Sequence, residues 1–434
     1  MSPEIVGIAG LFLMLAAMLL LQIPVGFAMA VTGFIGVARL TSADAALTLI
    51  GNDLWMTFSS YDLTIIPLFI FMGHICFHSN VNQRLYSCAY TWLGATRGGL
   101  AVATIAACAG FAAISGSNTA TAATMTSVAL PSMRRYGYHP TLITGSIAAG
   151  STLGVVIPPS IVLVVYGIYT GQSIAKLFFG SIIPGLIMGL LLTFTVIIIC
   201  RRHPAWGPLG EKTTFREKLI SLKGSFEMLL LFSLVMGGLF AGYFTPSEAG
   251  AIGSGFALLL SLARRSLTLT KFSAAINETL KISSFIVIII AGAVIFGRFL
   301  ALTRLPYAIA EWAAALPISP TLILWLVLLV FIIGGAIMDA LGLLMITIPI
   351  FYPLALKLGF DPIWFGVIIT IVTTMGAITP PVGVSAYVVA GMAEDIALST
   401  ILKGVSYFLP SYIITIIILE IFPQLVLWAA ASVH

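Results

Sequence analysis

Apolar runs of about 17 to 25 residues recur along the whole chain, long enough for a helix to cross a hydrocarbon core. Ile5–Leu21, Leu63–Phe77 and Leu177–Cys200 are examples. Two kinds of interruption break this pattern, and each occurs twice. In the first kind, apolar Gly98–Ile114 gives way to the polar stretch Ser115–Thr121 and then to apolar Ala122–Leu130, with Arg97 and Arg134 at the outer ends. Arms this short, with basic residues at both ends, predict a helical hairpin that enters and leaves on one side. Its polar tip would then lie at mid-membrane, where such backbone is tolerated only inside protein or beside a cavity. Ile323–Ala336, the tip Met338-Asp339 and Leu341–Leu354 have the same form.

The second interruption is a pair of consecutive prolines inside an apolar run: Gly154-Val155-Val156-Ile157-Pro158-Pro159-Ser160 and Gly376-Ala377-Ile378-Thr379-Pro380-Pro381-Val382-Gly383. Two prolines remove two amide donors and unwind a helix, leaving the carbonyls one turn earlier without partners. Such carbonyls are suited to sodium, and the restarted half-helix presents its positive end to an anion. A single such site reads equally as a plain kink. Two of them, each following a hairpin, read as a matched pair.

The pairing extends over the chain. At an offset of 222 positions Pro24 falls on Pro246, Pro131 on Pro353, Pro140 on Pro362, and Pro158-Pro159 on Pro380-Pro381, while Gly137, Thr152 and Gly154 fall on Gly359, Thr374 and Gly376. We therefore expect an all-α polytopic membrane protein made of two repeats. The first covers 1–200, with its hairpin at about 98–131 and broken helix at about 140–170. A basic cytoplasmic linker follows at 201–224. The second repeat covers 225–434, with its hairpin at about 320–356 and broken helix at about 362–392. Placing basic loops inside puts the N-terminus outside and makes the repeats inverted, a frequent arrangement in secondary transporters. Arg298 and Arg304 fall outside in this scheme, against the rule.

Composition agrees. Hydrophobic residues make up 60% and charged residues 8% of the chain, and mean hydropathy is +1.12. A soluble domain carries about 25% charged residues, so a lipid bilayer must be the partner of much of this surface. The segment before the first apolar run has no basic residue, so it is expected to be retained as a span. The net charge of +5 fits basic loops, and no nucleic-acid motif is present. Cys76, Cys88, Cys108 and Cys200 form no CxxC pair and read as packing residues. No GxSxG, HExxH or P-loop occurs, so no enzyme is expected. His74 and His78 share a helical face, but no acid or cysteine completes a metal set, so packing is the expected role.

The candidate chemistry sits beside the breaks. Ser115, Ser117, Asn118, Thr119, Ser151, Thr152, Ser160, Thr373, Thr374 and Thr379 are small polar groups, many of which will bond back to helix carbonyls. Asp339 would be an acid at membrane depth, in need of a partner or ion, or else a helix cap.

Ser115–Ala122, Pro131, Gly137-Tyr138, Leu153–Ser160, Thr245-Pro246-Ser247-Glu248-Ala249 and Thr379–Gly383 together resemble the large membrane subunit of TRAP (tripartite ATP-independent periplasmic) transporters. The resemblance covers essentially the whole chain. It implies an elevator-type transporter of the ion transporter superfamily kind, in a bacterial or archaeal cytoplasmic (inner) membrane. It further implies sodium-coupled import of a small organic anion such as a C4-dicarboxylate or sugar acid. A small four-helix membrane subunit and a periplasmic substrate-binding protein are the implied partners. Two or more sodium ions, and no organic cofactor, are implied. Matched residue by residue, Ser115, Asn118, Gly154, Ile157 and Pro159 would form one sodium site, and Gly335, Asp339, Gly376 and Thr379 the other. Ser117, Asn118, Thr119, Ser160, Pro381, Val382 and Gly383 would meet the substrate. Asn118 stands where many members carry Ser. A stand-alone sodium/carboxylate symporter without a binding protein is the alternative.

Overall fold

The computed structural model describes residues 2–432, and all regular structure among them is helical. Among the described residues, nine helical segments are long and apolar enough to cross a membrane. A helix satisfies its own backbone groups, which is what allows it to stand in hydrocarbon. Burial divides these segments. Only 11% of the Pro3–Leu21 window is buried within the protein, against 94% for Pro140–Thr170. The first offers its surface to lipid or a partner. The second, which holds the first proline pair, is the core.

Helix bounds recur at the offset that relates the prolines. Asn118–Arg135 and Ala340–Lys357 start and end 222 positions apart, and Pro140 and Pro362 open the two broken helices. Most of the hairpin arms and half-helices are started by a side-chain cap, whereas Gly99–Ser115 and Val384–Met392 each follow a glycine in the left-handed region. Thr245 and Glu248 form a capping box around Pro246, with Glu248 Oε2 accepting from Thr245 N at 2.8 Å. This gives the Thr-Pro-Ser-Glu motif a physical role as a helix start. Asp361 caps the second broken helix by accepting from Ile363 N at 2.8 Å.

The structure departs from two expected bounds. The linker is non-helical only over 203–214, because Ile174–Arg202 runs to its basic end and a Thr214/Glu217 capping box starts the next helix at Phe215. Arg216, Lys218 and Lys223 therefore lie on a helix. The hairpin arms are also longer than their apolar runs: Asn118–Arg135, Pro320–Ile337 and Ala340–Lys357 each have 18 residues, or about 27 Å. Length alone does not stop these arms from crossing. What marks them as hairpins is the two-residue tip and what the tip touches.

The positive charge at Arg298 is compensated. Its guanidinium donates to both oxygens of Asp53, at 2.5 and 2.7 Å. A bidentate pair neutralises the charge locally.

The short linker is strapped to the first half. Trp206 stacks between His139 and His203, with ring centroids 4.5 and 4.6 Å apart. Trp206 O accepts from His139 N, and Gly207 O accepts from Gly98 N. Burial, then the nearby Lys403 and His203, hold the His139 imidazole below its ordinary pKa, so the stack favours the neutral ring. A histidine pKa depressed by folding contributes stability above its unfolded value, about 6.5, and loses it as pH falls through the folded value. Hydrogen exchange of the Trp206 and Gly98 amides, corrected for intrinsic rate, should thus rise between pH 7.5 and 5. Trp206→Ala should raise it at both pH values and remove the pH dependence. Stacked pairs of this kind contribute roughly 0.5–1.5 kcal/mol each, so the effect should be a several-fold change.

Candidate functional site

Each hairpin tip is docked on the broken helix that follows it. In the first half the tip is Gly116-Ser117, between helices Gly99–Ser115 and Asn118–Arg135. Ser117 caps the returning arm by accepting from Ala120 N at 3.4 Å. Thr121 Oγ1 donates to Ser117 O at 2.7 Å and meets Ser115 Oγ at 2.8 Å. Gly116 O accepts from Ile161 N, the first amide of the restarted half-helix, at 3.4 Å. The break itself runs from Val156 to Ile161, with Pro158-Pro159 joined by a cis peptide. Pro158 and Pro159 stand where a helix would supply donors to the Gly154 and Val155 carbonyls. Gly154 lies against the tip so closely that an added Cβ would be 2.5 Å from Thr121 Oγ1 and 2.7 Å from Ser117 O. Ser115, Asn118, Gly154 and Pro159 are thereby drawn into one buried locus. The Ile157 side chain lies against Gly185.

Asn118 is the one residue of this locus with an unmet demand. It is 5% exposed, and its Oδ1 has no hydrogen-bond donor. Leaving a buried amide oxygen unpaired costs about 1–3 kcal/mol. The donors present here are all oxygens: free carbonyls, hydroxyls and a side-chain amide. Such a set suits a hard cation and offers nothing to a soft metal.

The second half builds the same docking in a more open form. Asp339 caps Ala340–Lys357, with Oδ2 accepting from Leu341 N at 3.0 Å. The acid does serve as a cap, and its carboxylate remains exposed. Ala336 O at the tip accepts from both Val382 N at 3.2 Å and Gly383 N at 3.1 Å. Gly335 and Gly376 touch, so a Cβ on Gly376 would be 2.7 Å from Gly335 Cα. Gly376 O accepts from Thr379 N at 2.8 Å, and Thr379 Oγ1 donates to Met375 O at 2.7 Å. Gly335, Gly376 and Thr379 are therefore adjacent. Pro380 and Pro381 are exposed, whereas Pro158 and Pro159 are buried.

The expected free amides at the restarted helices are engaged. Ile161, Val382, Gly383 and Ser385 all donate to main-chain carbonyls, and Leu163 N donates to the Ser160 hydroxyl. Ser160 is buried as that cap. What remains for an anion are side chains, notably the linked Ser117 and Thr119 hydroxyls at 3.1 Å and half-buried. Ser151, Thr152, Thr373 and Thr374 bond back within their helices. Tyr412, which the motif search passed over, closes the Thr152 group: its hydroxyl lies 2.6 Å from Thr152 Oγ1 and donates to Ala149 O at 3.1 Å.

The two dockings interlock. Asn118–Arg135 packs on Val384–Met392, and Ile161–Thr170 packs on both Ala340–Lys357 and Pro362–Gly376. Ser385, on the half-helix beside the first hairpin, has a buried hydroxyl without a partner. Neither it nor Tyr412 belongs to a recognisable motif. Both became visible only when distant segments were brought together.

Interrupted helices buried among membrane-crossing helices, with oxygen ligands at the interruptions, define a multi-pass membrane permease. The family model described as "Tripartite ATP-independent periplasmic transporter, DctM component" matches residues 12–425, and the chain belongs to that family as a TRAP transporter large permease subunit. It is 36% identical over 340 residues to the C4-dicarboxylate TRAP transporter large permease protein DctM of Pseudomonas aeruginosa, covering 78% of this chain and 79% of that one. It is 31% identical over 406 residues to the sialic acid TRAP transporter large permease protein SiaM of Vibrio cholerae, covering 93% and 94%. The fold is similar to that of the Alcanivorax borkumensis YdaH transporter, with a TM-score of 0.63 at 14% identity over 89% of this chain and 90% of that one.

The tip contact at Gly154 can be tested directly. Gly154→Ala should destabilise the purified chain by about 1–3 kcal/mol, the usual range for overpacking, measured by thermal unfolding in detergent. Gly189→Ala is the matched control, because its Cβ would meet only Leu153 at 3.8 Å.

Proposed function

We propose that this subunit carries a small organic anion inward, driven by sodium, through the locus where the hairpin tips meet the broken helices. The observation that carries this reading is the buried, donor-free Oδ1 of Asn118 at the first tip. A sodium ion held by Asn118, Ser115 and the carbonyls of Gly154, Ile157 and Pro159 would meet that demand. A second would sit among Gly335, Asp339, Gly376 and Thr379. The bound cations would offset the substrate carboxylate, which matters because the helix-start amides are engaged. Ser117, Thr119 and the stretch from exposed Pro381 through half-buried Val382 to buried Gly383 would contact the anion.

On this reading the halves are inverted repeats, and the hairpins with their broken helices move as an elevator against the remaining helices. The chain works in an inner membrane with its N-terminus periplasmic, beside a small four-helix subunit, and receives its cargo from a periplasmic binding protein. The relatives support carboxylates as the substrate class: one is named for C4-dicarboxylates and another for sialic acid.

Proteoliposomes containing the chain and its small subunit, supplied with the cognate binding protein, should take up succinate or sialic acid only under an inward sodium gradient. Equal uptake with choline in place of sodium would overturn the proposal. Asn118→Leu keeps the size and removes the oxygen. It should weaken the sodium-induced rise in thermal stability by at least about tenfold in sodium concentration, roughly 1.4 kcal/mol, while leaving the sodium-free stability unchanged or higher.

A further inference from the structure

Away from this locus, the structure supplies the acid that the sequence pattern lacked at His74 and His78. Glu278, on the long helix Leu269–Thr303, reaches the helix Ile65–His78 and places Oε2 3.0 Å from His74 Nδ1 and 3.0 Å from His78 Nε2. All three ligand atoms lie within 4.8 Å of one another. The expectation that no acid completes the set is thereby corrected. Helical spacing puts both rings on one face, and the third ligand comes from 200 residues further along the chain.

We propose that His74, His78 and Glu278 form a binding site for a borderline divalent transition-metal ion such as zinc. Two imidazoles and one carboxylate are a common three-ligand set for zinc, which leaves the fourth position to water. Tetrahedral bonds of about 2.0–2.1 Å set ligand atoms about 3.3 Å apart, so each 3.0 Å contact opens by a few tenths of an ångström while the two histidine nitrogens, within 4.8 Å of one another, settle to the same spacing. Without metal, His74 Nδ1 and His78 Nε2 both lie at hydrogen-bond distance from one carboxylate oxygen. On binding, each neutral ring carries its proton on the other nitrogen, and no proton has to leave. Glu278 is 44% exposed and the histidine side chains 15%, so water has access to the open position. Nitrogen ligands select zinc, nickel or cobalt over magnesium and calcium. The ion would pin a helix of the first half to a helix of the second.

The test uses the full-length chain, with any purification tag removed, stripped with EDTA and dialysed against zinc. We expect about one zinc per chain at micromolar free metal, no comparable binding of magnesium, and a rise in thermal stability with zinc. Cobalt should give the intense visible bands of a tetrahedral site. His78→Gln and Glu278→Gln, chosen for their similar size, should each weaken zinc binding by at least about tenfold and abolish the cobalt bands, with an unchanged elution profile. Absence of zinc binding in the parent chain, or equal binding in the His74→Gln/His78→Gln chain, would overturn the proposal.

Discussion

An unpaired backbone group is costly in hydrocarbon, and the hairpin tips meet that constraint for the amides beside each break. Each proline pair strips donors from a helix in the middle of the protein. The break also leaves the amides of the restarting half-helix without acceptors, and each tip supplies them: Gly116 O takes the amide of Ile161, and Ala336 O takes those of Val382 and Gly383. The broken helices are stable because the hairpins cover them, and the hairpins stay folded because the breaks give their tips something to hold. Small residues make the fit close, with Gly154 against Ser117 and Gly335 against Gly376.

This economy explains why so few charges are needed. The interior is lined by hydroxyls that spend themselves on nearby carbonyls, and charged pairs lie towards the ends of elements. Arg298 with Asp53 and Arg134 with Asp395 are examples. Arg84 and Arg264 both contact Glu227, clamping the helix Val81–Leu93 to the two helices that open the second half. Among the buried polar atoms without a partner, Asn118 Oδ1 stands out because it sits at a hairpin tip beside a helix break.

Much of this was legible in the chain. Apolar runs and double prolines located the breaks, and the bounds 140–170 and 362–392 for the broken helices agree with the structure, because Pro140 and Pro362 are local signals that start helices. Relations between remote residues were not legible. Glu278 is one acid in a long apolar helix, and nothing near it in sequence points to His74. Tyr412 is likewise silent until it meets Thr152. The engaged amides at Val382 and Gly383 were missed for the same reason: a proline pair announces lost donors, while the acceptor that recaptures neighbouring ones lies on another element. The arm lengths were underestimated because polar and basic residues at their ends remain helical.

The two dockings differ in exposure, and that difference has a kinetic meaning. Asp339, Pro380 and Pro381 are open to the surroundings, while Ser115, Asn118, Pro158 and Pro159 are enclosed. An ion at the open docking could come and go without rearrangement of the fold. One at the enclosed docking could not leave until neighbouring segments shifted. On the proposed reading, residence times would therefore differ: an ion at the enclosed docking would exchange slowly, and one at the open docking quickly.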